Sequence, residues 1–164
     1  MNAREIMTLT MVAPTSDAPS RETKLFDPLG LVRLAEDECW GFLERHRLGR
    51  VAFIHLDQPA IFPVNYCLDD RSVVFRTGQG SKLGAATGAR QAAFEVDEAV
   101  ESLESGTSVV VHGRLRRITD RDEVEQLRRL PLRPWAAGKR DDFVRLEPQY
   151  VTGRRIEPAG PPIT

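Results

Sequence analysis

The sequence predicts a mainly β domain: a small antiparallel barrel of six or seven strands with flanking α-helices. Three observations lead there. Short β-branched and aromatic runs recur along the body of the chain, with turn residues between them. The first three runs lie so close together that they form an antiparallel meander. Helical spacing appears only as short punctuation between runs. The chain has 164 residues, which suits one domain and argues against two.

The elements follow in order. Ala35–His46 reads as a short amphipathic helix. Cys39, Phe42 and Leu43 recur at helical spacing beside Trp40, and Glu36, Asp37 and Glu38 favour the first turn. Arg50–Leu56 is the first strand of the meander, followed by a turn at Asp57-Gln58-Pro59. Ala60–Leu68 is the second, and its internal Pro63 marks an edge or a bulge, because proline donates nothing to a ladder. Asp69-Asp70-Arg71 turns the chain into Ser72–Thr77. A glycine-flanked loop, Gly78 to Gly84, then runs into a small-residue helix.

Gln91–Asp97 is the next strand. Ser105–Ile118 is long and valine-rich, with a bend expected at Gly113. Asp120–Leu130 reads as a helix with Asp120 as its N-cap. Pro131-Leu132-Arg133-Pro134-Trp135 is a rigid loop. Asp141–Leu146 and Gln149–Ile156 complete the β structure. Residues 1–30 read as a disordered tail, 31–157 as the domain and 158–164 as a flexible C-terminal tail. Pro14, Pro19 and Pro28 fall in the first stretch and Pro158, Pro161 and Pro162 in the last.

Composition excludes several classes. With 23 basic and 24 acidic residues the net charge is -1, which does not suit a nucleic-acid coat. No apolar run spans a bilayer, and no signal-peptide pattern opens the chain, so the expected location is the cytoplasm. Cys39 and Cys67 form no CxxC pair and no zinc spacing, so no metal site is expected. Disulfide pairing is a weak alternative for the same two residues. No Ser-His-Asp or Cys-His arrangement stands out, so no catalytic residue is assigned. His46, His55 and His112 read as structural.

The informative stretch is Phe75-Arg76-Thr77-Gly78-Gln79-Gly80-Ser81-Lys82-Leu83. Arg76 and Lys82 bring charge, Thr77 and Ser81 bring hydroxyl donors, and the glycines free backbone amides before a helix N-terminus. Each feature favours an anion, most simply a phosphate, although an ordinary solvated turn has the same composition. The GxxxxGK[ST] spacing is absent. Arginine outnumbers lysine 20 to 3, so a lysine on this loop stands out. Pro63-Val64-Asn65-Tyr66 is the second stretch. A proline inside a strand leaves backbone groups free to read a flat heterocycle, or simply marks a bulged edge.

Taken in order, these segments resemble the pyridoxamine 5'-phosphate oxidase-like family of FMN-binding split barrels. The residues carrying the resemblance are Leu48–Ala52, Pro63–Tyr66, Phe75–Thr77, Gly80–Leu83, Phe94–Asp97, Ser108–Gly113 and Gly153–Ile156. The resemblance covers about residues 31–157. It implies a split β-barrel and a homodimer with the cofactor at the subunit interface.

By the same resemblance, Arg76, Thr77, Ser81 and Lys82 hold the phosphate of FMN. Pro63, Val64 and Asn65 lie along the isoalloxazine through their backbone, and Trp135 reaches the cofactor. The implied function is an FMN-dependent oxidoreductase acting on a small molecule, with hydride transfer at the flavin. The alternative is a carrier of flavin, deazaflavin or haem without turnover; haem would need His55 or His112 in the cleft. The stretch Asp142–Pro148 lacks the histidine-containing basic segment of the vitamin B6 oxidases. The Ser81-Lys82 spacing is also one residue shorter than theirs, so vitamin B6 is not the implied substrate.

Overall fold

The computed structural model describes residues 27, 31–78, 88–133, 135 and 141–158. Within them the order is β1 (Val32–Arg33), α1 (Glu36–Arg45), β2 (Leu48–His55), β3 (Gln58–Asp69), β4 (Ser72–Thr77), β5 (Gly88–Val100), β6 (Ser105–Ile118), α2 (Arg121–Leu127) and β7 (Asp142–Ile156). Every strand pairing is antiparallel. The sheet runs β1-β7-β4-β3-β2-β5-β6, and a further β6–β7 pairing closes six of the strands into a barrel.

Strand alternation fills the interior. Val51, Phe75, Phe94, Val109, Val111 and Leu146 are all fully buried there. Each such side chain contributes about 1.5–3 kcal/mol on burial, so this cluster dominates the stability. Helix α1 closes one end with Cys39, Trp40, Phe42 and Leu43. Its N-terminus is held by Glu38, whose carboxylate accepts from the Ala35 amide at 2.7 Å. Gly153 lies beneath this helix, and a Cβ there would sit 2.6 Å from Cys39 Sγ. Tyr66 fixes the helix from below by donating its hydroxyl to the Leu43 carbonyl at 2.7 Å.

A second cluster lies outside the barrel. Helix α2 and the residues after it cover the outward side chains Cys67, Val74, Ile118 and Phe143 with Leu127 and Leu132. This explains why Val73-Val74-Phe75 does not alternate: β4 is buried on both faces. Asp120 caps α2 by accepting from the amides of Asp122 and Glu123, as its position in the sequence suggests. The helix is pinned by charge as well. Glu123 accepts from Arg116 at 2.9 Å and lies 3.3 Å from Arg145, which in turn donates to Asp69 at 2.6 Å.

Several boundaries differ from the sequence expectation. The first meander turn is the two-residue Leu56-Asp57, not Asp57-Gln58-Pro59, and Gln58 and Pro59 belong to β3. Both turn residues have positive φ, 48° and 59°, although neither is glycine or asparagine. The second turn is likewise reduced to Asp70-Arg71, with φ of 46° and 56°. The last two expected strands are one continuous β7.

The bend expected at Gly113 is present as a shift in β6–β7 register between His112 and Gly113. His112 pairs with Tyr150 and Gly113 with Pro148, so Gln149 is the extra residue. A Cβ at Gly113 would overlap the Glu147 carbonyl. The bulge swaps the buried parity of β7, from Val144 and Leu146 before it to Val151 and Gly153 after it. Helix α2 ends at Leu127, three residues earlier than expected. Strand β1 is too short to carry a sequence signal; it pairs with Arg154 and Arg155 at the far end of β7. Asp27 falls within the stretch that reads as a tail, yet it is 7% exposed and accepts from the Leu31 amide and from Arg154. The small-residue helix expected after Gly84 lies outside the described residues.

Candidate functional site

The barrel opens where β3 leaves β4. Their pairing ends at Tyr66↔Phe75, while β3 continues back to Gln58, paired among the described residues only with β2. The Tyr66 amide donates to the Arg47 carbonyl, which fixes the hydrogen-bonding parity along β3. Even-numbered residues from Gln58 to Tyr66 face β2 with their backbone groups. Odd-numbered residues face the opening. Pro59 and Pro63 both fall at odd positions, so their missing N–H groups cost no ladder bond. Pro63 is thus an edge proline without a bulge.

Strand alternation sorts the expected site residues by face. Asn65 and Arg76 point outward on neighbouring strands, at the point where the strands separate. Val64 (7% exposed) and Thr77 (2% exposed) point into the barrel. Val64 turns its backbone to Gly49. The groups of the Pro63-Val64-Asn65 segment that face the opening are therefore those of Pro63 and Asn65.

Arg76 reaches across β7. Its guanidinium stacks 5.2 Å from the Phe143 ring centre and lies 3.4 Å from the Asp141 carboxylate. Asp141 is largely exposed, so this pair contributes little. The Arg76 Nε is buried and has no hydrogen-bond partner among the described residues. A buried donor in that state costs about 1–3 kcal/mol. Ser81 and Lys82, the other expected phosphate ligands, lie outside the described residues.

Asn65 is the pivot of the opening. Its Nδ2 donates to the Arg47 carbonyl at 3.3 Å, and its Oδ1 accepts from the Trp135 amide at 2.9 Å. One side chain ties the end of α1 to the segment after α2, and both its arms are used. Trp135 is 69% exposed. A cavity of about 190 Å³ lies between Arg47, Asn65, Pro131, Arg133 and Trp135. Arg47 and Arg133 are site residues that the sequence expectation does not include. The only sequence signal for Arg133 is its place inside the proline-bounded loop.

The histidines are elsewhere. His112 stacks on Tyr150 at 4.4 Å beside a separate cavity of about 380 Å³. His55 meets Phe53 edge-on, and His46 contacts the Phe42 carbonyl at the end of α1. None lines the Asn65 cavity. Cys39 and Cys67 are both free and buried, in different clusters. Burial pushes both thiols up, Cys67 to about 11. Among the described residues no group of His, Cys, Asp and Glu could hold a metal, and no helix is long and apolar enough to cross a membrane.

Comparisons with known proteins agree with this geometry. The family model of pyridoxamine 5'-phosphate oxidase matches residues 35–155. An uncharacterized protein of Mycobacterium tuberculosis is 35% identical over 77% of this chain and 86% of its own. The FAD binding protein of Mycobacterium smegmatis superposes with a TM-score of 0.66 at 32% identity, covering 76% of this chain and 98% of that one. A Corynebacterium glutamicum protein named for pyridoxamine 5'-phosphate oxidase superposes with a TM-score of 0.70 at 30% identity, covering 80% and 96%. On the strength of the family match and the closed, split six-strand barrel, the chain belongs to the pyridoxamine 5'-phosphate oxidase-like family.

Proposed function

We propose that the protein is a flavin-dependent oxidoreductase that holds FMN or FAD in the β3–β4 opening and acts on a small molecule. The observation carrying this reading is Arg76. It is a cation at the mouth of the opening, with a buried Nε lacking a partner among the described residues and a weak contact to an exposed carboxylate. That donor set fits a phosphate better than it fits Asp141. The FAD binding relative from Mycobacterium smegmatis, similar over most of its length, supports a flavin.

When bound, the flavin supplies the redox chemistry by accepting or giving a hydride at its ring. The chain's residues do the rest. Arg76 anchors the phosphate, with Ser81 and Lys82 as further ligands. Pro63 and Asn65 present backbone groups to the edge of the ring. Thr77 supports the end of β4 from inside the barrel. Trp135, fixed through its amide by Asn65, screens one side of the opening from water. No side chain is needed as an acid or base for the hydride step itself.

The active unit is a homodimer. Ile54, Ile61 and Tyr150 are more than half exposed around the 380 Å³ cavity, which has Ala52 and Ala93 in its walls. A face this apolar is suited to a second copy of the chain. One experiment tests the functional reading. The full chain is supplemented with FMN, FAD, a deazaflavin or haem, desalted, and its absorption spectrum recorded before and after anaerobic NAD(P)H. Retained flavin bands that bleach with NAD(P)H support the oxidoreductase. Retained flavin that stays oxidised with NAD(P)H counts against an NAD(P)H-driven oxidoreductase and favours a carrier, and absence of any chromophore removes the reading.

A further inference from the structure

We infer that the pocket framed by Arg47, Arg133 and Trp135 is a subsite for an adenylate group, next to the proposed flavin site and resting on that reading. Trp135 presents its ring to solvent although its backbone is anchored. Its amide is held by Asn65 at 2.9 Å, and Leu132, three residues earlier, is buried under α2. An indole on an anchored backbone, in a residue 69% exposed, offers a face for stacking.

The charge beside it has one sign. Arg47 and Arg133 line the cavity, and among the described residues no carboxylate does. The Arg47 guanidinium is fixed by the carbonyls of Glu44 and His46, at 2.6 Å and 2.8 Å from its Nη1. A cavity lined by an exposed indole and two arginines suits a flat aromatic group that carries phosphate. At about 190 Å³ the cavity is smaller than the roughly 300 Å³ of a whole-ligand pocket, so it takes part of a larger molecule.

Asn65 forms a wall of this cavity and also borders the β3–β4 opening. A ligand bound in the opening can therefore extend into the subsite. The adenylate then comes from one of two sources: the far half of FAD, or the adenylate end of a dinucleotide hydride donor.

The test uses the full-length chain and the variants W135A, W135F and R133A. Flavin fluorescence quenching measures FMN and FAD affinity, and calorimetry measures AMP binding to the bare and FMN-loaded chain. Base stacking predicts FAD binding about tenfold tighter than FMN. W135A should abolish that preference, W135F should keep most of it and R133A should reduce it, with FAD affinity falling further than FMN affinity in each variant. That result assigns the adenylate to FAD. Equal FMN and FAD affinities, with Trp135-dependent AMP binding to the FMN-loaded chain, assign it to a separate dinucleotide. Equal affinities with no Trp135-dependent AMP binding overturn the subsite. If neither flavin binds, the flavin reading fails by itself, and AMP binding to the bare chain still decides the subsite.

Discussion

Replacing Arg76 by methionine separates ligand binding from stability. Methionine keeps an apolar stem against Phe143 and removes the charge. Within the protein it breaks a 3.4 Å pair with an exposed Asp141, which contributes about 0–1 kcal/mol. The substitution also removes a buried Nε with no partner among the described residues, a cost of about 1–3 kcal/mol. The flavin-free protein should therefore melt within a few degrees of wild type, or higher. The bound phosphate forgoes charge-assisted hydrogen bonds that contribute about 1.5–3 kcal/mol. That corresponds to a rise of roughly 10- to 150-fold in Kd. Quenching titrations with FMN, at two salt concentrations, and thermal unfolding without flavin measure both quantities. Flavin affinity within twofold of wild type would refute Arg76 as the phosphate anchor. A large drop in melting temperature would show a structural residue instead.

Other consequences are as direct. Neutralising Glu123 with glutamine should cost about 1–2 kcal/mol at pH 7, because Arg116 and the largely buried Arg145 are deprived of a shared carboxylate. Hydrogen bonds from Arg116 hold the Glu123 carboxyl below its usual range. Its contribution is therefore complete above the unfolded carboxylate range and fades as pH falls through the lowered folded value, and acid denaturation of E123Q should lack this component. Cys67 has the opposite sign. Its neutral thiol is favoured by the fold, so stability should decline as pH rises from the ordinary thiol range toward about 11, and a thiol reagent at pH 8 should label the native chain slowly. Changing Leu56-Asp57 to Asn-Gly should raise stability by up to about 1 kcal/mol in denaturant titrations, since both positions have left-handed backbone. An Ile61→Glu change on the apolar face should shift the protein from dimer to monomer in sedimentation; an unchanged dimer would place the interface elsewhere.

Much of the fold is legible in the sequence because each strand is marked locally. The runs at Ser72–Thr77 and Ser105–Ile118 match β4 and β6 residue for residue. The break at Gly113 is also visible, since glycine opposite proline permits a bulge that other residues would block. The Leu56-Asp57 turn is hidden, because its left-handed residues carry no glycine or asparagine signal. The double burial of β4 is hidden too, since it depends on α2 packing from about fifty residues away in sequence.

The candidate site divides the same way. Arg76 stands out from its strand-loop context alone. The clamp made by Asn65 does not, because Arg47 and Trp135 lie 18 and 70 residues from it in the chain. Adjacency in sequence groups Thr77 with Arg76, but alternation along a strand puts neighbours on opposite faces.

The most direct measurement of the central claim is a crystal structure of the full chain loaded with FMN or FAD. The expected result has a phosphate oxygen within about 3 Å of the Arg76 guanidinium, freed from Asp141, and the ring along Pro63 and Asn65. A flavin seated beside His112 and Tyr150, with Arg76 still on Asp141, would contradict it.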